Sequence, residues 1–183
     1  HYKKIKYKDI QYYQIKNQKK WLENSITDIK KIFPTKKCVF FNLAWKGEKS
    51  LTYGKIEIQL ENVNLSSKFL TLAKELGIKK VINASSGGAI IGDAVPPIDE
   101  NFLPNPISPY GASKLCNEAF ASAFSGSYGM NIINLRFSNV YGKYCINKQS
   151  AVAKFIKQII RKEKIQVYGD GNQTRDFLFV EDL

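Results

Sequence analysis

Apolar positions recur along this chain in two alternating rhythms. From about Lys19 to Phe33, the segment KKWLENSITDIKKIF puts Trp21, Leu22, Ile26, Ile29 and Phe33 on one helical face, and Pro34 ends it. The run Cys38-Val39-Phe40-Phe41-Asn42-Leu43-Ala44 is nearly all apolar and has the length of a strand buried on both faces. Helical spacing returns from Asn62 to Leu76, with Leu65, Phe69, Leu72 and Leu76 inward and Gly77 as the stop. Lys80 to Ala84 (KVINA) reads as the next buried strand, and the Gly- and Pro-rich stretch from Gly87 to Pro109 as a loop. Tyr110 to about Ser125 predicts a helix, and Asn131 to Phe137 (NIINLRF) a strand. Ala151 to Lys162 predicts a helix with Val152, Phe155, Ile156, Ile159 and Ile160 on its apolar face. Strands and helices in alternation imply right-handed crossovers, and hence a doubly wound, Rossmann-like parallel α/β sheet with helices on both faces.

Composition narrows the functional classes. Of 183 residues, 44% are apolar and 13% aromatic, enough for a folded domain with a real core. The formal charge of +12 admits nucleic acid, a membrane surface or anionic small molecules as partners. Nearly all of the positive charge is Lys, with Arg at positions 136, 161 and 175 alone, whereas phosphate and base readout favour the planar Arg fork. A nucleic-acid partner is therefore not expected. Cys38, Cys116 and Cys145 are widely spaced and accompany a single His, which points to no disulfide framework, no metal site and a reducing, cytoplasmic setting. No apolar run approaches the roughly 20 residues of a membrane span.

Tyr110 and Lys114 form a Tyr-x-x-x-Lys pair, which on a helix stacks phenol and ammonium one turn apart. The positive charge favours phenolate and makes the Tyr a usable acid/base. Spacing alone is weak, because Tyr2/Lys6, Tyr12/Lys16 and Tyr144/Lys148 repeat it, and each is equally an exposed Tyr beside a solvated Lys. Position singles out Tyr110. It opens a helix after a loop that begins at Ser85-Ser86, at the carboxyl end of a buried strand, where open parallel sheets bind ligands.

Six segments together resemble successive blocks of the NAD-dependent epimerase/dehydratase family, an extended short-chain dehydrogenase/reductase group. They are Asn42-Leu43-Ala44, Asn62-Val63-Asn64, the Ala84-to-Gly88 turn, Ser108-to-Leu115, Leu135-to-Gly142 and Tyr168-to-Phe177. The likeness covers about residues 38 to 183 and is strongest to UDP-glucose 4-epimerase-like enzymes. It implies NAD as cofactor and an epimerisation through transient oxidation of a sugar carbon, with Tyr110 as acid/base. Lys114 would tune Tyr110 and hold the cofactor, with Asn62, Ala44 and Ala84 nearby. Asn139 and Arg175 would face a nucleotide-diphosphate sugar, and Ser86 or Ser85 would supply the hydroxyl. Residues from about 143 onward would open the substrate-binding part, and a homodimer is implied.

Several positions depart from that family pattern. The usual hydroxyl position falls on Gly87, which leaves Ser86, the favoured candidate, or Ser85. Ala89-Ile90-Ile91-Gly92 replaces the family's Thr-Val-Tyr-Gly. Gly88-Ala89 stands where dehydratases of the family carry an Asp-Glu pair, which favours an epimerase or an NADPH-dependent ketoreductase over a dehydratase. No Gly-rich pyrophosphate turn is present, so the sheet is expected to be incomplete at its N-terminus and to lack most of the C-terminal substrate lobe. A non-catalytic dinucleotide-binding module is the alternative from another class.

Overall fold

In the computed structural model, which describes residues 2–7, 10–15, 38–43, 45, 55–143, 145 and 150–183, three expected strands pair in parallel. They are β3 (Val39–Asn42), β4 (Lys80–Ser86) and β5 (Asn131–Phe137), in that order across the sheet. The expected helix from Lys19 to Phe33 and the residue Ala44 lie outside the described residues. In register, Asn42 sits beside Asn83 and Asn83 beside Asn134.

Helix α1 (Ile56–Glu75) links β3 to β4 and begins six residues before the expected Asn62. The inward face of its first turns is polar, with Gln59, Asn62 and Ser66 all buried, so apolar periodicity could not reveal it. It ends as expected at Gly77, whose φ of +74° suits a residue without Cβ. Gly77 N–H donates to Lys74 O and Ile78 N–H to Ala73 O, satisfying two terminal carbonyls. Ile78 is thereby carried into the core beside Phe69, Leu72, Leu76, Val81 and Met130.

The Gly87-to-Pro109 connection contains a short helix, α2 (Gly87–Ile91), where a loop was expected. Its buried Ile90 and Ile91 anchor an otherwise exposed segment. Helix α3 (Pro109–Tyr128) follows. Its start is built locally: Ser108 Oγ accepts from Gly111 N–H, and Pro109 lies in the first turn, where no donor is missed. Gly129, left-handed at φ 59°, closes it.

α1 and α3 pack side by side and cover one face of the sheet, as right-handed crossovers between adjacent parallel strands require. On the opposite face Val39, Phe41 and Ile133 are exposed among the described residues. Helix α4 (Ala151–Ile160) matches its expected range to within two residues. Two short pairings lie beyond the apolar pattern. β1 (Tyr2–Tyr7) and β2 (Ile10–Ile15) form an antiparallel hairpin, in which Lys3, Lys4 and Lys6 fall at both parities of β1 and so break any alternation. β6 (Asn139–Tyr141) and β7 (Phe177–Phe179) pair in parallel over three residues, too few to show a period.

Candidate active site

The carboxyl ends of β3 and β4 and the first turns of α3 converge around Lys114. Its side chain is only 4% exposed, and Nζ donates to the backbone carbonyl of Ala84 at 3.0 Å. The same ammonium lies 3.6 Å from the centroid of the Trp45 indole and 5.7 Å from that of the Tyr110 ring. Trp45 meets Tyr110 edge to face, at 6.4 Å and 88°. Desolvation by burial lowers the Lys114 pKa from 10.5 to about 8. The group is a cation at neutral pH, but one held in a medium that resists it.

Burial alternates along β4, with Val81, Asn83 and Ser85 inward. Asn83 bonds to Asn117 of α3, so Ser85 shares the face turned toward the Tyr110 helix. Ser85 is 5% exposed and its Oγ has no hydrogen-bond partner. Ser86, of the opposite parity and partly exposed, is the N-cap residue of α2 but makes no capping bond with its side chain. Asn62 is buried on the inner face of α1, one turn from Gln59, whose Oε1 accepts from Ser113 Oγ at 2.9 Å.

Beneath this layer runs a polar network absent from the sequence reading. Asn83 Oδ1 accepts from Asn42 Nδ2 and Asn117 Nδ2, each at 3.0 Å, and Asn83 Nδ2 donates to Asn134 Oδ1 at 2.8 Å. Ser66 Oγ accepts from Asn42 and donates to Asn117. One signal was available: an Asn interrupts each of the three apolar strand segments. Equally unread was the pair Arg136–Glu118, closed at 2.8 Å, with the Arg136 pKa raised chiefly by its hydrogen bonds to Glu118.

Asn139 and Arg175 belong to a second group, on the β6–β7 pair. Asn139 Nδ2 and its backbone N–H both donate to Asp176 O, at 3.1 and 3.2 Å. Arg175 is exposed and donates to Thr174 O at 2.7 Å. The contacts that gather Tyr110, Lys114, Ala84 and Trp45 include neither of them. Among the described residues there is no cluster of His, Cys, Asp or Glu suited to a metal ion, and no helix is long and apolar enough to cross a membrane.

A parallel sheet in the order β3-β4-β5, with the crossover helices α1 and α3 packed against it, is a Rossmann-like α/β fold. The chain belongs to the NAD dependent epimerase/dehydratase family, whose sequence profile matches residues 15–183. It is 39% identical over 125 residues to a putative UDP-glucose 4-epimerase of Methanocaldococcus jannaschii, an alignment covering 67% of this chain and 41% of that protein. A human dTDP-D-glucose 4,6-dehydratase matches at 27% identity over 173 residues, covering 92% of this chain and 49% of that protein. Among solved structures, the UDP-N-acetylglucosamine 4-epimerase of Methanobrevibacter ruminantium M1, in complex with UDP-N-acetylmuramic acid, superposes with a TM-score of 0.78 at 31% identity. That match covers 92% of this chain and 54% of that one. The chain thus spans less than half the length of these two curated relatives.

Proposed function

We propose that this chain carries the catalytic layer of a nucleotide-sugar epimerase, with Tyr110 as the acid/base and Lys114 as the group that activates it. One observation carries the reading: a buried ammonium bonded to the Ala84 carbonyl and 5.7 Å from the centroid of the Tyr110 ring. The strand below fixes Nζ, so the charge stays beside the phenol instead of swinging to solvent. An opposite charge on the Tyr110 oxygen is favoured there by Coulomb attraction in a poorly solvated setting. The buried cation and the unpartnered Ser85 hydroxyl fit the polar, reactive end of a dinucleotide with a sugar against it. Lys114, Tyr110 and Asn62 would hold NAD, and bound NAD supplies reversible oxidation at a sugar carbon.

Within that frame Tyr110 takes the hydroxyl proton and later returns it, while a serine on β4 orients the reacting oxygen. Strand parity and its unpartnered hydroxyl favour Ser85, whereas Ser86 stands more open at the strand end. Whichever of Ser85→Ala and Ser86→Ala lowers kcat more identifies the orienting group. The β6–β7 pair, with Asn139 and Arg175, would meet the sugar diphosphate, and residues from about 143 would begin the substrate-binding part. Exposed Ile56 and Leu60 on α1 and Phe120 and Tyr128 on α3 favour pairing of two copies through these helices.

Dehydratase chemistry is disfavoured because the first turn of α2 carries no acidic side chain to remove water across the sugar. The test is interconversion of UDP-sugars by the full-length protein, followed by NMR. Tyr110→Phe should lower turnover about a hundredfold or more while bound NAD is retained. Near-normal turnover in that variant would remove the proposed role.

A further inference from the structure

Besides the Ala84 carbonyl, the Lys114 ammonium rests against the indole of Trp45, a residue with no part in the proton transfer proposed for Tyr110. It stands three residues past the end of β3, at the same carboxyl edge as Ser85 and Tyr110. Its indole does two things at once. The ring face receives the ammonium, the geometry in which an aromatic quadrupole attracts a cation, and indole does this better than phenol or phenyl. Meanwhile Nε1 is buried and has no acceptor, although a desolvated N–H left unpaired is costly. Ser85 Oγ, in a residue 5% exposed, and Asn42 Oδ1, at the end of β3, are likewise unpartnered, so this edge holds polar atoms open to a ligand.

We propose that Trp45 is a two-handed positioning residue of this site, its indole face holding the Lys114 ammonium and its Nε1–H reserved for an acceptor oxygen of the bound ligand. The inference rests on the epimerase reading for the identity of that ligand, but not for the contact with Lys114. Phe keeps an aromatic face and lacks the donor, whereas Leu lacks both, so the two substitutions separate the two hands.

The first measurement is the rate of Lys114 acylation against pH in the full-length protein, read by peptide mass spectrometry. It needs no substrate and no turnover. Without an aromatic face the buried ammonium loses support, so Trp45→Leu should move the titration midpoint down by about one unit, tenfold in the free-amine fraction. Trp45→Phe, which keeps a weaker ring face, should move the midpoint down by less than Trp45→Leu does. An unmoved midpoint in Trp45→Leu, or one moved upward by entering water, overturns the role of the ring face. If Trp45→Leu fails to fold by circular dichroism, Trp45→Met replaces it.

The second measurement addresses the donor. Trp45→Phe should weaken ligand binding about tenfold, more than it lowers kcat. Weaker NAD retention assigns the acceptor to the cofactor, and a raised KM for UDP-glucose assigns it to the nucleotide sugar. If neither moves, the donor role is wrong. Absence of turnover in the wild-type protein sinks the epimerase reading and leaves the Lys114 titration standing. An unchanged titration in a protein that turns over sinks the Trp45 role alone.

Discussion

Lys114 Nζ lies 3.0 Å from the carbonyl oxygen of Ala84, in a position where the side chain is 4% exposed. This bond ties the second turn of α3 to the end of β4 and puts a charge where solvent cannot stabilise it. The folded state holds the Lys114 proton less tightly than the unfolded chain, since burial lowers the pKa from 10.5 to about 8. The resulting penalty of roughly 3 kcal/mol is carried in full below pH 8 and lifts as pH rises through the window up to 10.5. Lys114→Met should therefore be more stable than wild type at pH 7 in urea denaturation, less whatever the Ala84 carbonyl loses. Its advantage should shrink between pH 8 and 10.5, while turnover disappears.

At Gly111 the constraint is contact. A Cβ there would lie 2.0 Å from Ala89 O and 3.0 Å from Pro106 Cβ, so α2 and α3 could not keep their approach. Gly111→Ala should cost about 3 kcal/mol, read from the urea midpoint at unchanged slope. Gly126, on the same helix, would meet nothing within 4 Å. Gly126→Ala should instead stabilise by about 0.5–1 kcal/mol through helix propensity and a less flexible unfolded chain.

Asn83 is the hub of the buried amide network, accepting two hydrogen bonds and donating one. Asn83→Ala would strand groups on Asn42, Asn117 and Asn134 away from water. A loss of about 3 kcal/mol is expected, measured by thermal denaturation. Asn134→Ala removes a single acceptor at a less buried edge and should cost about 1 kcal/mol.

Glu118 is 8% exposed and accepts from Arg136 Nε and Nη2, the latter at 2.8 Å. Arg136→Met would leave a buried carboxylate without its cation and should cost about 3 kcal/mol at neutral pH. Arg136→Met combined with Glu118→Leu should recover most of that loss in the same denaturation assay, because the penalty lies in the unpaired charge.

The strands β4 and β5 and the stop at Gly77 were legible because continuous apolar runs and a terminal glycine are local signals. The beginning of α1 was not, since Gln59, Asn62 and Ser66 turn polar groups inward where a helix usually turns apolar ones. A five-residue helix such as α2 and three-residue strands such as β6 and β7 are too short for any period to emerge. Tyr110 and Lys114 could be paired from their spacing, and the neighbouring motifs set them apart from the other Tyr/Lys pairs.

By itself the sequence determined the alternating α/β order and nominated Tyr110 and Lys114, beside the end of a buried strand, as the candidate site, because period, turn chemistry and i,i+4 spacing act within one element. Tertiary structure decided what surrounds them. It laid Trp45 on the ammonium, bonded that ammonium to Ala84, turned Ser85 inward and Ser86 outward, and joined Asn42, Asn83, Asn117 and Asn134. Those contacts bridge residues between 30 and 69 positions apart, such as Ala84 with Lys114 and Trp45 with Lys114. Desolvation and cation–π geometry arise only when strands and helices meet, so no local pattern could have encoded them legibly.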